Sequence, residues 1–258
     1  MSLFDIIGPI MVGPSSSHTA GAARIGYITR QIMGEDIVKA QIDLYGSFLA
    51  TGKGHGTDKA LVAGLLGMKP DDERIPFSFE IAKEKGLDFQ FGEAFVRDAH
   101  PNTVLLTVTG ASGRVRTLEA VSVGGGCIRV NQIDDMEANF TGDYPTLILR
   151  NKDKPGMIQK IVTKLGEFNI NIANFTLSKD MKKKGTAITI IECDDPVPTA
   201  MVEEISEWED IGRVIYLYTE DMVISEETQK KLDEYNEHKR LEQLAKARMH
   251  NKTEIQES

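Results

Sequence analysis

The run Gly13-Pro-Ser-Ser-Ser-His-Thr-Ala-Gly-Ala-Ala-Arg-Ile-Gly26 places three serines, a histidine and a threonine directly ahead of small residues. A helix beginning here has no acidic residue in its first turn. The amide N–H groups at a helix start lack carbonyl partners within the helix and carry partial positive charge. Hydroxyls at Ser15, Ser16, Ser17 and Thr19 add donors around them, and His18 and Arg24 add positive charge. The chemistry this allows is the cradling of a small anion, a carboxylate or a phosphate. One serine would serve as an ordinary N-cap; three, followed by His-Thr, exceed that need. Ser17 and His18 are not read as nucleophile and base, because adjacent residues rarely reach that geometry and no acid partner stands out.

A second group lies in YGSFLATGKGHGTDKA, from Tyr45 to Ala60. A strand ends at Gly46, and Gly52, Gly54 and Gly56 follow. The segment reads as a flexible loop from which Lys53 and His55 project, a wall for an acidic ligand. The spacing of a Walker phosphate loop is absent, and nothing around Lys53 supports a Schiff-base role. In VGGGCIRVNQI, Gly124-Gly125-Gly126 interrupt a strand and suggest a bulge or a close backbone approach. Asn131, in the same segment, faces a ligand or caps a turn. Further on, Pro155-Gly156 open a strand-to-helix turn whose N–H groups are free, and Asn171 is expected to cover that turn from the neighbouring strand. The plain alternative is a structural module that pairs with copies of itself.

The elements that must position these residues follow from periodicity. A helix spans roughly His18 to Met33, with Ile25, Ile28 and Ile32 on one face and Gly34 as its stop. Its small residues, Ala20 to Ala23, invite another backbone close. IVKAQIDLYG alternates as a strand. Helices follow near Thr57–Leu66 and Phe77–Lys85. LDFQF, TVLLTVTG and RVRTLEAVSVGGG read as strands, the last two joined by Ala111-Ser112-Gly113. After Thr141-Gly142-Asp143-Tyr144-Pro145 the order is strand, helix, strand, strand, helix, strand, a ferredoxin-like βαββαβ unit. The domains are therefore drawn at 1–143 and 145–219. Residues 220–258 form a charged tail, expected as a solvent-facing helix in which Leu232, Tyr235, Leu241 and Leu244 give at most a narrow stripe. The fold class is α+β.

The 258 residues are 41% hydrophobic and 27% charged, ordinary for globular domains, and the net charge is −9. That charge argues against non-specific nucleic-acid binding, which needs a basic face. No apolar run approaches the ~20 residues of a membrane helix, and MSLFDIIGPIM lacks the features of a signal peptide. No membrane role and a cytoplasmic location are expected. Cys127 and Cys193 are the two cysteines. Both sit in strand-like runs and are expected as buried, reduced thiols. Two cysteines cannot hold a four-cysteine zinc or iron–sulfur centre.

The run D-x-x-G-P-x-x-x-G-P-S-S-S-H-T-A-G-A-A-R-I-G from Asp5 to Gly26, with YGSFLATGKGHGTD and SVGGG, resembles the β chain of two-chain, iron–sulfur-dependent L-serine dehydratases. Residues from about Pro145 to Thr219 resemble an ACT domain. The resemblance implies an allosteric-substrate-binding fold followed by an ACT domain. It implies a lyase complex that deaminates L-serine to pyruvate and ammonia, with its [4Fe–4S] cluster held by cysteines of the partner α chain and no metal on this one. It further implies that Ser15 to Thr19, Gly46-Ser47 and Asn131 contact L-serine or a similar small acid. Pro155, Gly156 and Asn171 would form an ACT site, usually at a dimer interface, so self-association through that domain is expected. His18 either binds an effector or helps catalysis at the edge of the active site. The rival from another class is a free-standing amino-acid sensor without an enzyme partner.

Overall fold

The computed structural model describes residues 11–218 and 226–256 of the chain. It divides into two compact units, the second beginning at Tyr144. Asp5, Gly8 and Pro9 of the first motif lie outside the described residues, as does the expected junction with the tail.

In the first unit the serine run begins with a single wide turn of π type, Ser16–Ala20, before α1 (Gly21–Met33). Gly34 stops α1 in the left-handed region (φ 72°), a conformation that costs glycine little. β1 (Ile37–Leu44) follows. Residues read as a loop from the sequence then form a helix, α2 (Gly46–His55). The glycines there lower helix propensity, but Phe48 is fully buried and Gly52 packs against Thr57. Tertiary burial therefore overrides propensity. α3 (Thr57–Leu65) and α4 (Ser78–Lys85) match the expected helices to within two residues at each end, with a 3-10 turn at Ile75–Phe77.

The strands β2 (Asp88–Glu93), β3 (Thr103–Gly110), β4 (Val115–Gly124), β5 (Cys127–Ile133) and β6 (Met136–Phe140) join β1 in one sheet of order β2-β1-β3-β4-β5-β6. β2 runs parallel to β1 and the other pairs are antiparallel. Ala40, Ile42 and Leu44 of β1 stand opposite Val108, Leu106 and Val104 of β3, all buried. α1 and α3 pack together, and two glycines make the close approach. A Cβ on Gly64 would lie 2.1 Å from the Ala23 carbonyl oxygen, and one on Gly26 would lie 2.4 Å from that of Leu61. Gly125 and Gly126 do not interrupt a strand, as the sequence suggested. With φ of 62° and 82° they form the two-residue turn between β4 and β5, the geometry that matches strand twist in a tight hairpin. This turn leaves Cys127 exposed at the start of β5, correcting the expectation of two buried thiols, while Cys193 is buried.

The second unit runs β7 (Thr146–Lys152), α5 (Met157–Gly166), β8 (Ile172–Lys179), β9 (Thr186–Cys193), α6 (Thr199–Ser206), β10 (Ile211–Leu217). This is the expected βαββαβ order, with sheet order β10-β7-β9-β8. Leu147, Leu149, Ile161, Leu165, Ile191 and Ile205 are core residues, which follows from alternation in the strands and 3.6-residue spacing in the helices. The tail forms α7 (Glu226–Gln256). Its first half is not merely solvated. Leu232 is buried, Tyr235 meets Phe168 edge-on at 5.4 Å, and Asn236 Oδ1 accepts the Ala200 N–H at the start of α6 (3.0 Å). Leu241 and Leu244 are exposed.

Candidate functional site

Ser15 has extended backbone and caps the first turn, its Oγ accepting the His18 N–H at 3.1 Å. This aims the His18 ring at α2. His18 Nε2 lies 3.1 Å from Ser47 Oγ and 3.2 Å from Thr51 Oγ1. Thr51 commits its own proton to the Ser47 carbonyl at 2.9 Å, so toward His18 it accepts. That network assigns the proton to Nε2, leaving Nδ1 facing Ser15 Oγ at 3.5 Å. His55 closes the group. Its Nδ1 lies 3.1 Å from the Thr51 carbonyl, which can only accept, so in the neutral ring the lone pair sits on Nε2. The two imidazoles lie 5.0 Å apart, Phe48 stands edge-on to His18 at 5.4 Å, and Thr19 donates to the His55 carbonyl at 3.0 Å. Burial and the neighbouring His55 hold His18 below its ordinary 6.5, against a hydrogen bond with the Ser47 backbone.

The arrangement is a partly open group of hydroxyls and two imidazoles around a helix start. The N–H groups of Ser47 and Phe48, which open α2, are already taken by the Pro101 carbonyl (2.7 and 3.3 Å). In the Ser16–Ala20 turn, His18 N donates to Ser15 Oγ, and Thr19 N and Ala20 N donate to the Ser15 carbonyl (2.8 and 3.4 Å), so the leading amides of the helix start are those of Ser16 and Ser17. Gly46 has a positive φ of 57°, and a Cβ there would lie 2.7 Å from the Pro101 carbonyl oxygen. The Gly124 end of the hairpin lies beside Ser17, whose Oγ would be 3.8 Å from a Cβ on Gly124.

The fold thus brings Ser15, His18, Thr19, Ser47 and His55 together, with Ser16 and Ser17 on the same turn. Lys53 is exposed on α2, outside the hydrogen-bonded group. Asn131 lies in β5, where its amide donates to Glu119 at 2.9 Å. Arg24 is turned to Asp143 (2.5 Å) and the Gly142 carbonyl (3.0 Å) rather than to the helix start. Thr51 was missed by sequence reasoning; its spacing of four from Ser47 becomes a signal only once the segment is known to be helical. Ser122 was also missed. Its buried hydroxyl lacks a hydrogen-bond partner and lies 2.2 Å from where a Cβ on Gly21 would be.

In the second unit, Pro155 and Gly156 follow the C-terminal end of β7, and Gly156 has a φ of 83°. Asn171 stands at the other end of the sheet. Its carbonyl accepts from Asp194 N and its amide donates to Asp194 Oδ2 at 2.6 Å, beyond the β9 end that pairs with Thr146. Within one chain, then, Asn171 does not cover the Pro155-Gly156 turn.

An iron–sulfur cluster does not fit this chain's donors. Cys127 and Cys193 belong to different units, and burial pushes the Cys193 thiol up to about 12, far from a ready thiolate. Among the described residues no group of three or more His, Cys, Asp or Glu is placed to hold a metal ion. No described helix is long and apolar enough to cross a membrane.

Comparison with known proteins agrees with the motifs. The family described as "Serine dehydratase beta chain" matches residues 2–83, and the ACT domain family matches residues 146–207. The "Probable L-serine dehydratase, beta chain" of Bacillus subtilis (strain 168) is 38% identical over 83% of this chain and 96% of its own length. The L-serine dehydratase beta chain of Peptoniphilus asaccharolyticus is 37% identical over 79% of this chain and 92% of its own. D-3-phosphoglycerate dehydrogenase of Synechocystis sp. is 29% identical over 72% of this chain, but over only 33% of that protein. On the motifs, the ACT unit and this coverage, the chain belongs to the family of L-serine dehydratase beta chains.

Proposed function

We propose that this chain works with a cysteine-bearing α chain in an L-serine dehydratase, and that the start of the Ser16–Ala20 turn binds the carboxylate of L-serine or a similar small acid. The observation that carries this reading is the convergence of groups 29 to 36 positions apart, the His18 ring with the Ser47 hydroxyl and the Thr19 hydroxyl with the His55 carbonyl, on one helix start. The leading amides and the hydroxyls of Ser16 and Ser17 receive the carboxylate. The lone pair on His55 Nε2 suits the ligand's ammonium group. The [4Fe–4S] cluster belongs, in this reading, to the α chain. Binding a carboxylate beside His18 raises its proton affinity, so binding takes up a proton and tightens as pH falls toward and below 6.5.

The role is regulatory: the occupied site steadies the first unit against the α chain. The ACT unit pairs with a second copy, which fits the placement of Gly156 and Asn171 at opposite ends of one chain's sheet. The two imidazoles favour a second reading, in which His18 helps catalysis at the edge of the active site. Pyruvate release by the reconstituted α–β complex, measured against serine concentration for His18→Ala, separates the two. Retained saturating turnover with lost activation by serine supports the effector role. Collapse at every serine concentration supports the catalytic role. A wild-type profile refutes both.

A further inference from the structure

The sheet of the first unit ends at β2, and among the described residues no strand lies beyond it. Soluble proteins usually blunt such an edge with a lysine, a proline or a bulge. β2, Asp-Phe-Gln-Phe-Gly-Glu, has neither lysine nor proline, and it pairs with β1 over six residues without a register shift. The pairing of β6, at the opposite edge, does carry a shift. Backbone N–H and C=O groups alternate sides along a strand. The Ala94 N–H turns inward to the Leu44 carbonyl at 2.9 Å, so by alternation Phe89, Phe91 and Glu93 present theirs outward.

The surface along this edge is aromatic. Phe79 of α4 lies 5.0 Å from Phe89 and 6.3 Å from Phe91, ring centre to ring centre. Phe91 is 37% exposed, Phe77, just ahead of α4, is 61% exposed, and Phe95, just past β2, is 88% exposed. A phenylalanine carries about 150–250 Å² of surface, so these three leave roughly 300–450 Å² of aromatic surface open. That is the size of patch that marks an interaction site.

We infer that β2 pairs antiparallel with β2 of a second copy of this chain, joining two six-stranded sheets into one of twelve strands about a two-fold axis. The symmetry restricts the register. A two-fold axis normal to the sheet keeps every residue on its own face, so odd-numbered residues of β2 meet odd ones and even meet even. Two registers then keep most of the strand paired. In one, Gln90 meets Gln90 and Asp88 falls opposite Gly92. The Asp43 carboxylate occupies that place, 2.2 Å from a Cβ built on Gly92, so two acidic groups would meet on each side of the axis. In the other, Phe91 meets Phe91 and Gln90 falls opposite Gly92, with its amide a donor to Asp43 of the second copy. Phe95 extends the same line and falls opposite Leu87, at the edge of the second copy's Phe79–Phe89 pair. Charge thus selects the register centred on Phe91, and in that register the most exposed ring on this edge gains a partner.

The test is disulfide trapping in the full chain, with Cys127→Ser removing the exposed native thiol. Cα atoms facing each other in a hydrogen-bonded antiparallel pair stand about 5.5 Å apart, within disulfide reach. Treated with diamide, the Phe91→Cys chain should form a covalent dimer about tenfold or more faster than a Val115→Cys control, exposed at the start of β4. Gln90→Cys should stay at the control rate, because its diagonal separation exceeds about 7 Å. The cross-link reports residue 91 itself, so pairing elsewhere on the chain is not mistaken for it. Hydrogen exchange of the unsubstituted chain gives a second measure: the outward amides of Phe89, Phe91 and Glu93 should gain protection as concentration rises. Phe95→Ser, at an exposed position, should shift that dependence to about tenfold higher concentration. Control-rate trapping of Phe91→Cys in a chain whose circular dichroism is native overturns the proposal, as do faster trapping of Gln90→Cys and protection that ignores concentration or Phe95→Ser. Loss of the cross-link on adding the α chain assigns this edge to that chain and overturns self-pairing.

Discussion

The closest backbone approach in the first unit predicts opposite effects for two glycine-to-alanine changes that look alike in sequence. In Gly64→Ala the new Cβ would lie 2.1 Å from the Ala23 carbonyl oxygen and 2.6 Å from Tyr27 N. Ordinary contact begins at 3.4 Å, so the deficit is about 1.3 Å against backbone that cannot rotate away. α1 and α3 must separate by roughly that amount along a buried interface, and overpacking of this kind costs about 1–3 kcal/mol, here at the upper end. For a unit of this size that is a fall of roughly 6–12 °C in Tm. Gly54 in α2 has nothing within 4 Å of its built Cβ, so Gly54→Ala gains about 0.5–1 kcal/mol from helix propensity. The same displacement would reach the site, because α1 continues the turn bearing His18 and its partners at 3.1 and 3.2 Å leave little slack. Urea unfolding of both variants, with calorimetric titration of L-serine, checks the reasoning. A Gly64→Ala chain with an unchanged midpoint would refute the helix crossing, and a destabilised Gly54→Ala chain would refute the helical assignment of α2.

Three further outcomes are expected. Burial first, and His55 second, lower the pKa of His18 from 6.5 in the folded chain, so the unfolded chain takes up that proton first. The stability linked to neutral His18 is present above about pH 6.5 and is lost as pH falls through 6.5 toward the folded value. His18→Gln should therefore flatten the acid limb of a urea-midpoint profile, and a limb of unchanged slope counts against the environment described. Cys127 is exposed and Cys193 buried, with its thiol pushed up to about 12; iodoacetamide should modify one thiol in the native chain and two in urea, located by peptide mass. Asn236→Ala removes the acceptor for the Ala200 N–H at the start of α6 and should cost about 1 kcal/mol by thermal unfolding, whereas no change would mean that α7 does not dock.

The second unit was almost wholly legible in the order of residues. Each of its elements carries its own local signal, alternation in TAITIIEC or helical spacing of Ile161 and Leu165, and all six appear where expected. The same holds for the Gly34 stop and the turn at Ala111 to Gly113, which depend on a few neighbouring residues. The serine run announced a helix start for the same reason, since caps act within one turn. Where local signals conflicted with burial, the reading failed. The glycines of 46–55 suggested a loop, but burying Phe48 required a helix, and only that helix sets Thr51 one turn beyond Ser47 to meet His18. Asn171 and Pro155-Gly156 seemed to share a turn until strand register placed them at opposite ends of one sheet.

Composition and motif thus determined the family, the two-unit plan and the serine-rich helix start. Tertiary structure alone decided which side chains complete that site, because the hydrogen bond between residues 18 and 47 spans the distance from the turn before α1 to the start of α2. No window of neighbouring residues encodes that distance.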